Sequence, residues 1–245
     1  MSIDNDSFSS LLKTARVIDV KGCKFAILDP EEHIQQFWLT ERFYEQEMLA
    51  FIFKYFRGGT FIDIGACHGN HTIFFSRIAD LVVAFEPVAS TFLHLNLNIT
   101  LNRASNVVSH LAAMGDKCEV RTIYQCSSVG MSSLIDLGEE TTTTVETLVT
   151  TLDDYELNNV KLVKIDVEGF ALEVLHGSKK TIQEHRPAFF IEIGDENELS
   201  SGNLENIKKF LSQFDYHCYA KPFNATPTYL FTTDLDFLSR IESSE

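Results

Sequence analysis

The chain of 245 residues is 44% hydrophobic, which is enough to bury the core of one α/β domain of the larger kind. Its 35 acidic and 20 basic residues give a formal charge of −15. Because the basic residues do not cluster, this charge disfavours binding to nucleic acid or to an anionic membrane. There is no apolar run of about 18 residues or more, and MSIDNDSFSS does not resemble a signal peptide, so we expect a cytoplasmic protein.

The first part of the chain is predicted to form a hairpin and one or two helices. VIDVKGCKFAIL, residues 17–28, contains two short strand-like runs on either side of Lys21-Gly22. Apolar residues then recur at helical spacing over residues 31–56, before Gly58-Gly59 ends the pattern. The five cysteines are spread along the chain without a C-x-x-C pair, which indicates reduced thiols rather than disulfides or a structural zinc site.

From Thr60 onward, short apolar runs alternate with helix-like segments. The runs are TFIDIG, LVVAFEP, NVVSHLAA, KLVKIDVEG and AFFIEIG, and the segments are HTIFFSRIA, ASTFLHLNLNITLN and FALEVLHGSKKTIQEH. This alternation predicts a doubly wound α/β sheet with parallel strands buried on both faces. Residues 117–151 are rich in Thr and Val and predict one or two strands or an extended loop. The C-terminal part predicts a helix and then a pair of strands.

Acidic residues stand where four of the apolar runs end. They are Asp63, Glu86, the pair Asp166 and Glu168, and Glu192. Ligands of open α/β sheets bind outside the carboxyl ends of the strands, so we expect these acids to share one rim. For any one of them, the alternative is a cap on the following helix or a side chain in water.

The rim favours a cationic nucleoside cofactor. The turn in FIDIGACHGN contains a glycine that lets a ligand approach the backbone, and Glu86 ends the second strand, where a carboxylate commonly binds ribose hydroxyls. A nicotinamide or flavin cofactor would place a pyrophosphate close to Asp63, which is unfavourable. S-adenosylmethionine brings a sulfonium, an ammonium and a ribose without phosphate, so acidic strand ends complement it.

These motifs resemble those of the FkbM-type S-adenosylmethionine-dependent methyltransferases. The resemblance covers about residues 60–194, through F-I-D-I-G-A, A-F-E-P, T-L-D-D, K-I-D-V-E-G-F-x-L-E-V-L-x-G and I-E-I. It implies a Rossmann-like seven-stranded methyltransferase sheet in residues 58–245, with residues 1–57 as an N-terminal extension packed on it. It also implies methyl transfer to a hydroxyl of a sugar, glycan or other small molecule.

The resemblance implies a set of cofactor contacts. Asp63, Gly65 and Ala66 would contact the methionine part of the cofactor. Glu86 would bind the ribose, and Asp116 would contact the adenine. For Asp116, a solvated turn residue is the alternative. Ser133, which follows Ser132 in a Ser-rich turn, is a further candidate. The chain departs from the family pattern at Cys67, His68 and His71, which we expect to line the pocket rather than bind a soft metal, because no second cluster completes a ligand set.

Methyl transfer to a hydroxyl requires a group that takes the hydroxyl proton. Asp166 is the first candidate. Glu168 lies beside it if the chain stays extended, or at the helix N-terminus if the chain turns. His68 is an alternative base, since imidazole titrates near neutral pH. Another mechanism would use a divalent cation on Asp166, Glu168 and Glu192 to acidify the hydroxyl, although we expect a reaction without metal.

Two other functions remain open at this point. An RNA methyltransferase would ordinarily need a basic track for phosphates, which the charge balance disfavours. A non-catalytic module that binds S-adenosylmethionine is the second, because a fold does not determine a function. The acceptor is expected to contact the N-terminal segment and residues 117–150, where the motifs are weakest, so the sequence identifies neither the acceptor nor the oligomeric state.

Overall fold

The computed structural model describes residues 15–126, 132–134, 141–193, 204–219, 221–224 and 227–243. The strands are β1 Arg16–Val20, β2 Cys23–Ile27, β3 Thr60–Ile64, β4 Leu81–Phe85, β5 Val107–His110, β6 Ala113–Met114, β7 Glu119–Cys126, β8 Ser132–Ser133, β9 Thr141–Thr150, β10 Val160–Ile165, β11 Ala188–Glu192, β12 His217–Cys218 and β13 Thr228–Thr232. The helices are α1 His33–Leu39, α2 Gln46–Tyr55, α3 Asn70–Phe75, α4 Ala89–Asn102, α5 Ala171–His176, α6 Lys179–His185, α7 Leu204–Leu211 and α8 Leu235–Glu242. Within these ranges no helix combines the length and the apolar character that crossing a bilayer requires.

In the described part of the chain, seven strands form the central sheet in the order β12-β13-β11-β10-β3-β4-β5. The strands from β11 to β5 are parallel, whereas β13 runs antiparallel to β11 and β12. The predicted α/β class and the seven-stranded sheet are therefore confirmed. Chain order reverses between β3 and β10, so a ligand crevice is expected at the carboxyl ends of these two strands.

The N-terminal elements share a core with one face of this sheet. The predicted hairpin is formed by β1 and β2, and Phe25 of β2 stacks on Trp38 of α1 with ring centroids 4.3 Å apart. Both side chains belong to one buried cluster with Met48 of α2 and Phe61 of β3. Burial of each such side chain stabilises the folded protein by roughly 1.5–3 kcal/mol relative to an exposed side chain. The division at residues 57 and 58 stays a prediction.

Three regions differ in detail from the sequence-based expectation. FALEVLHGSKKTIQEH forms two helices, α5 and α6, separated by Gly177 and Ser178. A Cβ at Gly177 would lie 1.9 Å from the carbonyl oxygen of Gly115, which explains the glycine. NVVSHLAA divides into β5 and β6, and the latter joins β7, β8 and β9 in a separate sheet ordered β6-β9-β7-β8. Helix α8 was not predicted.

Candidate active site

A cavity of about 430 Å³ opens at the strand ends where the chain order reverses. Small-molecule sites usually measure about 300–1,000 Å³. The strands contribute Gly65, Glu86, Asp166 and Glu192 to its walls, and the N-terminal segment contributes residues 32–34 and Tyr44. The predicted crevice is therefore present and is closed on one side by the N-terminal segment.

The glycine turn after β3 holds three strand ends together. The N–H groups of Gly65 and Ala66 donate to the carbonyl oxygen of Phe85 at 3.0 Å, and Asp166 N–H donates to Ile64 at 3.0 Å. Gly65 has φ +76°, and a Cβ there would lie 1.8 Å from the carbonyl oxygen of Asp166. A side chain would thus clash with the backbone of β10, which explains the glycine.

Glu86 is almost completely buried, with 6% of its surface exposed. Its carboxylate accepts hydrogen bonds from the N–H groups of Cys67 at 3.0 Å and Val88 at 2.9 Å. Burial raises the pKa of Glu86 to about 7; the two N–H groups oppose this shift, and the charges of Asp63 and Asp166 add to it. A cationic or hydroxyl-bearing ligand would therefore favour the ionised form of this carboxyl group.

Beyond Glu86 the cavity is lined by apolar groups. They come from the end of β4, the β5–β6 connection, β6, β7 and the segment after β8. The side chains or backbones involved are Phe85, Ala112, Ala113, Met114, Ile123 and Leu134. A flat, weakly polar ring such as a purine base suits this part of the cavity.

Three carboxylates that line the same cavity come together. Oxygen atoms of Asp166, Glu168 and Glu192 lie within 4.8 Å of one another. Glu168 has φ 46° and Gly169 has φ 88°, and this left-handed turn keeps Glu168 beside Asp166 instead of sending it to cap α5. Burial raises the pKa of Glu192, and the charge of Asp166 adds to the increase. Of the two positions considered for Glu168, the structure shows the one beside Asp166 and not the one at the helix N-terminus.

Lys164 of β10 lies beneath these acids and is 2% exposed. Its Nζ is 2.9 Å from Asp166 Oδ2 and 3.8 Å from Asp63 Oδ1, and it donates to Gly65 O at 3.5 Å. Burial disfavours the ammonium form, but the adjacent carboxylates of Asp166 and Asp63 outweigh burial and raise the pKa of Lys164. The sequence-based prediction missed this residue. A lysine inside the apolar run K-L-V-K-I-D is the signal that could have identified it.

Three residues predicted to contact the cofactor do not line the cavity in the described part of the chain. Asp63 is fully buried, pairs across the strands with Lys164 and accepts a hydrogen bond from Thr72 at 2.5 Å. Ala66 is packed in a small buried cluster. Asp116 is exposed in the turn after β6. These three predicted contacts with the cofactor are therefore not seen. The direction of each side chain depends on its packing partners, which proximity to the glycine turn in the sequence does not reveal.

Ser133 lies in β8, opposite Tyr124 of β7. Its side chain falls outside the described part of the chain. Its contact with the cofactor therefore stays a prediction.

His68 lies behind the cavity wall rather than in it. The ring is 4% exposed, and its centroid is 4.5 Å from that of His94 and 6.4 Å from that of Trp38. Burial and the neighbouring His94 lower the pKa of His68 to about 3. A buried neutral ring without access to the cavity is not placed to remove a proton from an acceptor. Of the three residues expected to line the pocket, Cys67 does so, and His68 and His71 do not.

Similar proteins were found by sequence. The model of the Methyltransferase FkbM domain matches residues 63–218 of the chain. A protein of Beauveria bassiana (strain ARSEF 2860) called Methyltransferase 1 is 28% identical over 141 residues, which are 47% of this chain and 57% of that protein. The chain thus matches little more than half the length of this relative.

Similar proteins were also found among solved structures. Methyltransferase FkbM from Methylobacillus flagellatus KT superposes with a TM-score of 0.54 at 17% identity, over 93% of this chain and 58% of that chain. A putative rRNA-methylase from Clostridium thermocellum superposes with a TM-score of 0.50 at 12% identity, over 76% of this chain and 91% of that chain. At these identities the likeness shows a common fold.

Proposed function

Because this chain belongs to the FkbM family of S-adenosylmethionine-dependent methyltransferases, we propose that the cavity binds S-adenosylmethionine and that the protein methylates a hydroxyl of a sugar, glycan or other small molecule. Family membership confirms the resemblance seen in the motifs. The observation that carries the proposal is the division of one cavity into an apolar part beside a buried carboxyl group, Glu86, and an acidic part around Asp166.

The residues present fit the cofactor. Glu86 would accept hydrogen bonds from the ribose hydroxyls, and the apolar part beside Ala113 and Met114 would hold the adenine. Gly65 leaves the backbone accessible for the methionine part. When bound, S-adenosylmethionine would supply a methyl group activated by its attachment to a sulfonium, with a neutral thioether as the leaving group.

Asp166 is the proposed base. Lys164 holds its Oδ2 atom at 2.9 Å and thereby restricts the orientation of the carboxylate at the cavity wall. In the proposed reaction Asp166 takes the hydroxyl proton of the acceptor while the new oxygen–methyl bond forms and the sulfur–methyl bond breaks. A positioned base contributes typically 10²- to 10⁴-fold to a rate, about the size of effect expected here. Glu168, which belongs to the same cluster of three carboxylates, is the second candidate for the base.

Cofactor binding gives the most direct test. We expect calorimetry to detect binding of S-adenosylmethionine and of its demethylated product, and Glu86→Gln to weaken binding about 10- to 100-fold, since a hydrogen bond to a charged group contributes roughly 1.5–3 kcal/mol. Because the pKa of Glu86 is about 7, affinity of the unchanged protein should rise between pH 6 and pH 8 as this carboxyl group ionises. Glu86→Gln should show no such rise.

Glu184→Gln is the matched control, because Glu184 is an exposed glutamate on α6 and does not line the cavity. It should bind the cofactor as the unchanged protein does. A protein that binds neither S-adenosylmethionine nor its product, while remaining folded by circular dichroism, would contradict the proposed function.

Metal dependence is a separate question. The oxygen ligands of Asp166, Glu168 and Glu192 would suit a hard divalent cation such as Mg²⁺. The Lys164 ammonium, however, already lies 2.9 Å from Asp166, and it would repel a second cation. We therefore propose that the protein itself removes the proton.

Treatment with a chelator is accordingly expected to leave methyl transfer unchanged, and added Mg²⁺ to have no effect. The measurement is transfer of a radiolabelled methyl group before chelation, after it and after Mg²⁺ is restored. Loss on chelation followed by recovery with Mg²⁺ would instead assign Asp166, Glu168 and Glu192 as metal ligands.

RNA is a less well supported acceptor. The structural likeness to a putative rRNA-methylase is at 12% identity, which bears on the fold and not on the substrate. Among the described residues that line the cavity there is no Lys or Arg, and RNA backbones are normally bound by such residues.

A further inference from the structure

A second cavity, of about 360 Å³, lies at the opposite edge of the central sheet from the candidate active site. Its strand residues come from the beginning of β10 and β11 and from the end of the antiparallel strand β13, so they mark the amino ends of the parallel strands. Lys161 on β10 lies roughly 16 Å from Asp166 along the strand, at about 3.3 Å for each residue. The second cavity is therefore separate from the one that contains Glu86 and Asp166.

Four basic side chains converge on this second cavity from distant parts of the chain. They are Arg57, Lys161, Arg186 and Arg240, out of 20 basic residues in a chain whose formal charge is −15. Among the described lining residues there is one carboxylate, Asp234, which accepts a hydrogen bond from Phe237 N–H at 2.8 Å at the start of α8. The expectation that basic residues do not cluster holds along the sequence, but packing brings these four together.

Two of the four cations have no carboxylate partner. Within the described part of the chain, neither Arg57 nor Lys161 takes part in a salt bridge. The stem of Lys161 packs against Gly59, where a Cβ would collide with Lys161 Cγ. The guanidinium carbon of Arg57 lies 3.8 Å from the ring centroid of Phe53, and its Nη1 donates to Phe56 O at 3.0 Å. Both side chains are thus restricted, while their charges remain available to an anion.

Arg186 adds a guanidinium that the protein already orients. This residue follows α6, and its Nη2 donates to Phe214 O at 3.0 Å and lies 3.1 Å from Asp215 Oδ2. The Asp215 side chain is 84% exposed, so water and salt screen the attraction between the two charges. A guanidinium has five N–H donors. Because both contacts use the same nitrogen atom, the other donors of Arg186 remain for a ligand.

Aromatic rings line the same cavity. The ring of Phe237 packs edge-on against Tyr55 and Phe56, at centroid distances of 5.3 Å and 5.8 Å, and the guanidinium carbon of Arg240 lies 5.6 Å from the Phe237 centroid. Walls of low dielectric constant strengthen the field of nearby charges in a cleft. The second cavity therefore attracts an anion more strongly than the same four charges would on a flat, fully hydrated surface.

Phosphate groups match these donors. Guanidinium groups bind phosphate oxygens through pairs of N–H groups, and an ammonium group adds a compact positive charge. We propose that Arg57, Lys161 and Arg186 form a binding site for a small molecule that bears phosphate groups, such as a diphosphate. The proposal goes beyond the proposed function and does not depend on it, because none of these residues lines the active-site cavity.

Calorimetric titration with pyrophosphate at constant ionic strength tests the site on the full chain. We expect one pyrophosphate to bind to each chain. Lys161→Met and Arg57→Gln should each weaken this binding about 3- to 10-fold, which is the effect of losing one exposed charge or one charge-assisted hydrogen bond. Because both side chains are exposed, both variants should fold, and circular dichroism verifies this.

Lys24→Met is the matched control, because Lys24 is an exposed lysine on β2 that does not line the second cavity. It removes the same charge and should leave the affinity for pyrophosphate within about 2-fold, since salt screens a distant charge. Equal weakening by Lys24→Met and Lys161→Met, or no binding of millimolar pyrophosphate by the unchanged protein, would overturn the site. Single-stranded RNA that binds more tightly than pyrophosphate, and loses affinity in Lys161→Met, would overturn the assignment to a small molecule.

Discussion

Asp166→Asn should lower turnover by about 10²- to 10⁴-fold while changing the affinity for S-adenosylmethionine little, because it removes the proton acceptor and keeps the shape of the side chain. Asn also retains an oxygen that can accept the hydrogen bond from Lys164 Nζ, now 2.9 Å from Asp166 Oδ2. Turnover is measured as radiolabelled methyl transfer to an acceptor found by mass spectrometry from the gain of one methylene unit. Affinity is measured by calorimetry on the same preparation.

Glu168→Gln is the comparison variant, since Glu168 belongs to the same cluster of three carboxylates as Asp166 and Glu192. We expect a smaller loss of turnover from this change. A larger loss in Glu168→Gln than in Asp166→Asn would move the role of base to Glu168. Cofactor binding without methyl transfer in the unchanged protein, over a broad acceptor panel, would favour the non-catalytic binding module.

Lys164→Met should destabilise the folded protein by about 3–5 kcal/mol, because removing one partner of a buried ion pair leaves the other charge uncompensated. The charge left behind is chiefly that of Asp63, which is fully buried and lies 3.8 Å from Lys164. The free energy of unfolding is measured by urea denaturation. The slope of this free energy against urea concentration should be the same in the variant and the unchanged protein, which would show that their unfolded states are comparable.

Two further variants make this result specific. Lys161→Met changes an exposed lysine on the same strand, and it should shift the free energy of unfolding by no more than about 0.5 kcal/mol. Adding Asp63→Asn to Lys164→Met should recover at least about 1 kcal/mol, since it removes the unpaired charge while an amide oxygen can still accept the Thr72 hydrogen bond. A double variant no more stable than Lys164→Met would show that the two charges are not coupled.

The acidic strand ends illustrate how far a sequence can predict a site. Glu86, Asp166 and Glu192 each follow an apolar run, and parallel strands bring their carboxyl ends to one edge of the sheet. All three line the cavity. Asp63 follows the same pattern, but the register of β3 and β10 places it opposite Lys164. Its carboxylate therefore lies beside a buried ammonium group instead of lining the cavity.

The N-terminal wall of the cavity was less predictable. Trp38 and Tyr44 both lie in a stretch of aromatic residues at helical spacing, yet Trp38 is fully buried and Tyr44 lines the cavity. Both residues are held by Asn70, which accepts hydrogen bonds from the indole N–H of Trp38 and from the backbone N–H of Tyr44. Trp38 and Tyr44 precede Asn70 by 32 and 26 positions in the sequence, so no local sequence pattern predicts these contacts.

By itself, the sequence determined the α/β class, the parallel strands, the glycine turn, the acids that end the strands and the family. All of these depend on short-range periodicity or on motifs that are contiguous in the chain. Only the tertiary structure decided that Lys164 pairs with Asp166 and Asp63, that Glu168 turns toward the cavity, that His68 is buried and that Tyr44 lines the cavity. Such outcomes follow from which side chains meet when distant segments pack, and each buried polar group takes the partner that compensates for its loss of water.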